Sequence, residues 1–259
     1  MQFNISVGQF QVIPGAYEEN FGKAEAFIRQ ASEKKCELIL LPELWLGGYD
    51  YQHFEHYQRE AENYIHRIAA LARSLKISIA GTYPLRNNGE CCNTMVFIEP
   101  SEKITFYEKI HLFSPLQEKV NFSEGKKLVS FTAPWGDTGL AICYDLRFPE
   151  LFRKYALAGV KVILISAEWP LSRIDHWKTL LRARAIENQF VVIGCNAVGK
   201  SGKNVMGGAS AIIDSWGRTL AEADSESEAL ITARLDLNEI LRSRESISVF
   251  QDRRSDIYG

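Results

Sequence analysis

Two stretches of this chain end a strand of buried character with a glutamate: CELILLPELW at 36–45 and VKVILISAEW at 160–169. A short apolar run without alternating polar residues is the mark of a strand buried on both faces. Such strands pair in parallel, and parallel pairing needs a crossover, usually a helix, between one strand and the next. The flanking segments supply it. Amphipathic runs at 17–35 (YEENFGKAEAFIRQASEKK) and about 58–75 bracket the first strand, and PELFRKYALAG and RIDHWKTLLRARAIENQ bracket the second. With ISVGQFQV, ISIAGTY and NTMVFIEP added on one side, and GLAICYD, FVVIGCNAV and GGASAIIDSWG on the other, both halves read βαβαββ. A turn at Asn87-Asn88-Gly89 joins the last two strands of the first half.

Two half-sheets of this kind bury most apolar surface when packed face to face with their helices outside. The predicted fold class is therefore α/β: a four-layer αββα sandwich built from two pseudo-repeated βαβαββ halves. The chain reads as a single domain over 1–259, with halves at about 1–110 and 131–235 and a charged C-terminal tail at 236–259. At 259 residues it is long enough to bury a sizeable core. A formal net charge of −2 with scattered lysines and arginines argues against nucleic acid and anionic membrane as partners. The N-terminal stretch lacks a basic leader and apolar signal core, and no apolar run is long enough to span a bilayer, so a cytoplasmic location is expected. Five cysteines (36, 91, 92, 143 and 195), an odd number without framework or CxxC spacing, read as reduced thiols.

Reactive groups in open α/β sheets gather at the carboxyl ends of the strands. Glu43, Cys143 and Glu168 all stand there. In GLAICYDLRFPEL (139–151) the strand runs directly into Cys143, and Pro149 then opens a helix. A strand-to-helix turn lifts its side chain out of the sheet and aims backbone N–H groups at whatever it attacks, so Cys143 is a candidate nucleophile. Between the halves lies KITFYEKIHLFSPLQEKVNFSEG (103–125), where strand alternation puts Tyr107, Lys109 and His111 on one face. Taken singly, each residue has an ordinary reading. A cysteine after an apolar strand is usually packing, a glutamate before a helix answers the helix dipole, and a strand lysine is usually solvated.

LLPELW around Glu43, YEKIHLF around Lys109 and ICYDLRFPEL around Cys143 together resemble the carbon-nitrogen hydrolase, or nitrilase, superfamily, over nearly the whole chain. The resemblance implies a Glu-Lys-Cys catalytic set on an αββα fold, assembled as a homodimer or larger. Glu43 is then the general base, Lys109 the oxyanion stabiliser and Cys143 the nucleophile, with the N–H of Tyr144 helping at the oxyanion. The lysine charge would also favour thiolate. No cofactor and no metal is implied. A second carboxylate would keep a buried lysine ionised; Glu118 fits the family's spacing best, and Glu124, beside Gly125, remains the competitor.

The run at 166–189, with AEWP, HW and ARAIENQ, is most similar to the ω-amidase branch, which acts on 2-oxo acid amides such as 2-oxoglutaramate. Such a small-molecule amide carries a carboxylate, and Arg173 is the expected anchor for it, since a guanidinium matches a carboxylate bidentately. Tyr49 and Trp169 are expected to wall an apolar slot and Glu168 to set its polarity. His111 is assigned to site support and His176 to the same neighbourhood, with a Cys-His mechanism as the rival chemistry. Asp145 and Arg147 are expected to pair and fix the elbow. His53, His56 and His66 read as surface residues without metal-ligand spacing. The other enzymatic reading keeps the same three residues but takes nitriles or N-carbamoyl compounds. A binding module of this family would be expected to have lost one of them.

Overall fold

Parallel strands end where their last partner-bound N–H does, and that rule places the site at one end of two sheets. The structure, a computed structural model, describes residues 2–87 and 89–258. The first half comprises β1 (Gln2–Gln9), α1 (Tyr17–Glu33), β2 (Leu38–Leu40), α2 (Phe54–Leu75), β3 (Ser78–Asn87), β4 (Glu90–Ile98) and β5 (Ile104–Glu108). A connector containing the short α3 (Glu118–Asn121) leads to β6 (Ser130–Ala133), β7 (Gly136–Ile142), α4 (Pro149–Leu157), β8 (Val162–Ala167), α5 (Ile174–Asn188) and β9 (Val191–Asn196). The hairpin β10 (Val198–Ser201) and β11 (Asn204–Gly207) follows, then β12 (Ala211–Ile213), β13 (Thr219–Glu222), β14 (Ala229–Asp236), α6 (Leu237–Ser246) and α7 (Ser255–Tyr258).

Two six-stranded sheets result, in the orders β14-β1-β2-β3-β4-β5 and β13-β12-β9-β8-β7-β6. The crossover-linked strands pair in parallel, β1 with β2 with β3 and β7 with β8 with β9, and the edges are antiparallel. Alternation along the buried strands sorts the layers. Leu38 and Leu40 join Ile5, Val7, Leu140, Ile142, Leu164 and Ile193 in the core between the sheets. Ile39 faces α1 and α2 with Phe21, Ile28 and Ile68, and Ile163 and Ile165 face α4 and α5 with Phe152, Trp177 and Leu181. The four-layer αββα arrangement is the one that lets both faces of each sheet stay dry.

Three details differ from the sequence reading. β14, which falls in the second half by position, returns to the first sheet and pairs with β1 from Gln2↔Asp236 to Gln9↔Ala229, covering an edge that would otherwise be open. β2 stops at Leu40 because Pro42 has no N–H to donate and Leu44 turns into the left-handed region at φ 44. β5 stops at Glu108, so the alternation that buries Tyr107 and Lys109 does not carry on to His111, which lies in a bend. Of the predicted turn at 87–89, Asn88 lies outside the described residues; β3 and β4 flank it in antiparallel register to Asn87↔Glu90.

Candidate active site

Glu43 stands just beyond β2, and its backbone N–H donates to the carbonyl of Ala167 at the end of β8, 3.3 Å away, tying the two sheets together at this end. The next residue, Leu44, has its N–H held by the Thr82 hydroxyl of β3 at 2.6 Å. The Glu43 side chain is wholly buried. Its Oε1 accepts from Lys109 Nζ at 2.8 Å, from Asn93 Nδ2 at 2.8 Å, and lies 2.8 Å from the Tyr49 hydroxyl. Its Oε2 accepts the backbone N–H of Glu168 at 3.0 Å.

Lys109 follows β5 and is fixed on both sides of its backbone. Its N–H donates to Asn93 on β4 at 2.8 Å, and its carbonyl accepts from Gly125 N–H at 2.8 Å. Gly125 is required there, because a Cβ at that position would sit 2.2 Å from the Glu108 carbonyl oxygen. The ammonium reaches Glu118 Oε1 at 2.8 Å as well as Glu43, so one buried cation bridges two buried carboxylates. This pairing outweighs desolvation and holds the Lys109 ammonium well above its ordinary range. Glu118 is also anchored through Oε2 by the N–H of Phe113 at 2.8 Å. Glu124 is exposed and pairs with Lys119 at 2.7 Å, which lowers its carboxyl; it does not reach Lys109. Tyr49 has one hydroxyl proton and lies 2.5 Å from Glu118 Oε1 as well as 2.8 Å from Glu43, so it donates to one carboxylate at a time.

Cys143 sits at the end of β7 with φ 43, the left-handed backbone that a non-glycine residue adopts only when held there. The holder is Asp145, wholly buried. Its Oδ2 accepts from the Ile142 N–H at 3.0 Å and the Tyr107 hydroxyl at 2.7 Å; its Oδ1 accepts from the His111 N–H at 2.9 Å and faces His111 Nδ1 at 2.7 Å. The expected Asp145–Arg147 pair is therefore not what fixes the elbow. Arg147 turns the other way, its guanidinium 4.7 Å from the centre of the Trp169 ring and 3.2 Å from His176 Nδ1. His111 stacks on Phe148 at 3.6 Å between centroids and steadies Asp145, so it lies behind the elbow and does not line the cavity.

A cavity of about 240 Å³ opens at Cys143. It is small beside the roughly 300–1,000 Å³ of drug-sized sites. Tyr49, Glu118, Tyr144, Glu168, Trp169 and Arg173 all line it. Tyr49 meets it with its hydroxyl engaged by carboxylates, which departs from the expected apolar wall. Arg147, expected at the elbow, lines it instead, as do Asn204 and Met206, which were not singled out from sequence and are brought in by the β10–β11 hairpin. His176 is not among the lining residues. Asn93 is a further residue that sequence reasoning passed over; a polar residue opening the apolar run NTMVFI was the available signal.

The Cys143 thiol is pushed well above its ordinary range, first by burial and then by Glu43, with Lys109 opposing. The expectation that lysine favours thiolate is thus outweighed, since its charge is committed to two carboxylates. A resting thiol beside a carboxylate base, with a lysine ammonium adjacent, is equipped to attack a carbonyl carbon and stabilise the oxyanion that forms. Among the described residues no group of three or more His, Cys, Asp or Glu is arranged to hold a metal ion, and no helix is long and apolar enough to cross a membrane.

The carbon-nitrogen hydrolase family profile matches residues 4–245. A 2-oxoglutaramate amidase of Bacillus subtilis is 41% identical over 263 residues, covering 100% of both chains, and the human omega-amidase NIT2 is 31% identical, covering 99% of this chain and 97% of its own. A CN-hydrolase superfamily protein of Xanthomonas campestris superposes with a TM-score of 0.93 at 26% identity, covering 98% of each chain. With the family profile matched over most of the chain, a relative aligned end to end and the same fold, the chain belongs to the carbon-nitrogen hydrolase family.

Proposed function

We propose that this protein is an ω-amidase that hydrolyses the terminal amide of a small 2-oxo acid, of which 2-oxoglutaramate is the model, to the free acid and ammonia. The observation that carries the reading is the Lys109 ammonium, 2.8 Å from both Glu43 and Glu118, the latter lining a cavity with Cys143 and two arginines. The names of the full-length relatives support the substrate class.

The steps balance on these residues. Cys143 Sγ attacks the amide carbon as Glu43 takes the thiol proton, and the oxyanion is held by Lys109 and the Tyr144 N–H. Collapse breaks the C–N bond while Glu43 returns its proton to the departing nitrogen, releasing ammonia and leaving a thioester. Water then attacks the thioester as Glu43 accepts its proton, and the C–S bond breaks as Glu43 passes that proton to Sγ, regenerating the thiol and the carboxylate and releasing the acid. Glu118 keeps Lys109 charged and aimed. Arg173, with Arg147 beside it in the lining, takes the substrate carboxylate.

We further read the protein as cytoplasmic and homodimeric. All five cysteines are free, which suits a reducing compartment. Leu241, Ile247, Ile257 and Tyr258 near the C-terminus are exposed, an apolar surface of the kind a second copy would cover. The test of function is ammonia release from 2-oxoglutaramate, 2-oxosuccinamate, glutamine, an aliphatic nitrile and N-carbamoyl-β-alanine, each run beside Cys143→Ala. Fast, cysteine-dependent release from the oxo-acid amides is the expected result. Preference for the nitrile or carbamoyl compound would overturn the substrate while keeping the mechanism.

A further inference from the structure

Glu168 is the one acid in the cavity whose side chain the catalytic arrangement does not use. Its backbone N–H serves Glu43, yet both of its carboxyl oxygens lack a hydrogen-bond partner although the residue is only 3% exposed. The other acids there are occupied: Glu43 and Glu118 hold Lys109, and each takes at least one backbone N–H. Glu168 Oε1 lies beside Gly48, where an added Cβ would come within 3.6 Å, on the wall that continues into Tyr49. The groups facing it are Glu43, Lys109, Tyr51, Tyr57 and the Ser201 hydroxyl, whose approach partly offsets the effect of burial. A buried polar group without a partner is costly enough that a ligand is its natural complement.

Burial and the nearby Glu43 push the Glu168 carboxyl well above the usual carboxylate range, which favours its protonated form. A neutral acid has one O–H to donate, and a substrate oxygen can accept it. The arginines only donate. In an ω-amide of a 2-oxo acid, the amide oxygen goes to Lys109 and the carboxylate to arginine, leaving the 2-oxo oxygen as the acceptor without a partner. We propose that Glu168 is a specificity-determining residue whose carboxyl O–H donates to the 2-oxo oxygen of the substrate. The inference rests on the substrate class proposed above.

The test compares Glu168→Gln, Glu168→Leu and wild type on 2-oxoglutaramate and on the amide of the same chain lacking the 2-oxo group. The readout is the ratio of kcat/KM values for the two substrates. Leucine is expected to lower that ratio by roughly tenfold or more, as loss of a buried hydrogen bond does, while glutamine, which can still donate, keeps it within about threefold. An unchanged ratio in the leucine variant overturns the proposal. If wild type fails to turn over the oxo amide at all, the substrate class itself falls and the proposal with it, which is a different outcome.

Thermal unfolding of Glu168→Gln supplies a readout independent of turnover. An acid whose pKa is raised by folding binds more protons folded than unfolded, so its contribution to stability falls as pH rises above the unfolded value of about 4.3. The glutamine variant lacks that loss. Its Tm should therefore gain on wild type progressively as pH rises from about 4.3. A difference that does not change with pH would mean an ionised Glu168 and would overturn the O–H donor.

Discussion

Replacing Asp145 by asparagine tests whether the elbow at Cys143 is held in place from behind. Each carboxylate oxygen accepts one backbone N–H, Ile142 on Oδ2 and His111 on Oδ1, together with one side-chain group that can reverse its role. An asparagine has a single acceptor oxygen, so whichever way the amide is turned, one backbone N–H faces an NH₂. Tyr107 and His111 can adapt, because a hydroxyl and an imidazole both accept as well as donate. The backbone N–H cannot. One charge-assisted bond is lost and one buried donor is left bare, for a cost of about 2–4 kcal/mol. At roughly 2–4 °C per kcal/mol for a chain near this size, Asp145→Asn should melt about 4–16 °C below wild type by calorimetry. The same change frees the left-handed Cys143, and misplacing a nucleophile by about 1 Å can cost on the order of 10²-fold in rate, so kcat for ammonia release should fall by that order. A variant melting within about 2 °C of wild type with kcat intact would refute the account of the elbow.

Lys109→Ala leaves Glu43 and Glu118 buried without their shared cation, so it should lower kcat by at least roughly 10²–10³-fold and cost about 3–5 kcal/mol in denaturant unfolding. Arg173→Ala should raise KM chiefly for amides that carry a carboxylate; an equal rise on neutral amides would remove it as the anchor. The raised Cys143 thiol gives up its proton only above the usual range of about 8.5, so its modification by a disulfide reagent, read as wild type minus Cys143→Ala, should be slow at neutral pH and climb through pH 9 and beyond. Fast modification at pH 7 would show a preformed thiolate.

The layers and the strand ends could be read from letters because burial writes a simple pattern. Leu38 to Leu41 and Val162 to Ala167 are buried at every position, and apolar at all but Ser166, since both faces of the sheet are covered, and a glutamate at the end of such a run has few structural reasons to be there. Lys109 was visible for a similar reason, sharing a strand face with the buried Tyr107. What escaped was decided by contacts between distant segments. Asp145 lies two residues from Arg147, and sequence proximity pointed to a local pair; besides the Ile142 N–H, its partners come from β5 and the bend after it, 38 and 34 residues away. Asn204 and Met206 entered the cavity only because a hairpin folds back against Pro170, which no periodicity announces. The return of β14 to β1 is likewise a matter of which edge is left uncovered.

The charge arrangement around Cys143 carries a consequence for timing. Glu43 Oε1 is crowded by Lys109, Asn93 and Tyr49, whereas Oε2 holds one backbone N–H and keeps a lone pair for the thiol proton. Two carboxylates already answer the single lysine, so a free thiolate would add a negative charge to a buried site that is not short of them. Attack relieves this. As the Sγ–C bond forms, negative charge leaves sulfur for the substrate oxygen beside Lys109, and Glu43 becomes neutral by taking the proton, which strengthens the lysine's remaining interaction with the oxyanion. The site is thus better matched to the tetrahedral state than to a resting thiolate, and that difference is where its rate acceleration must come from.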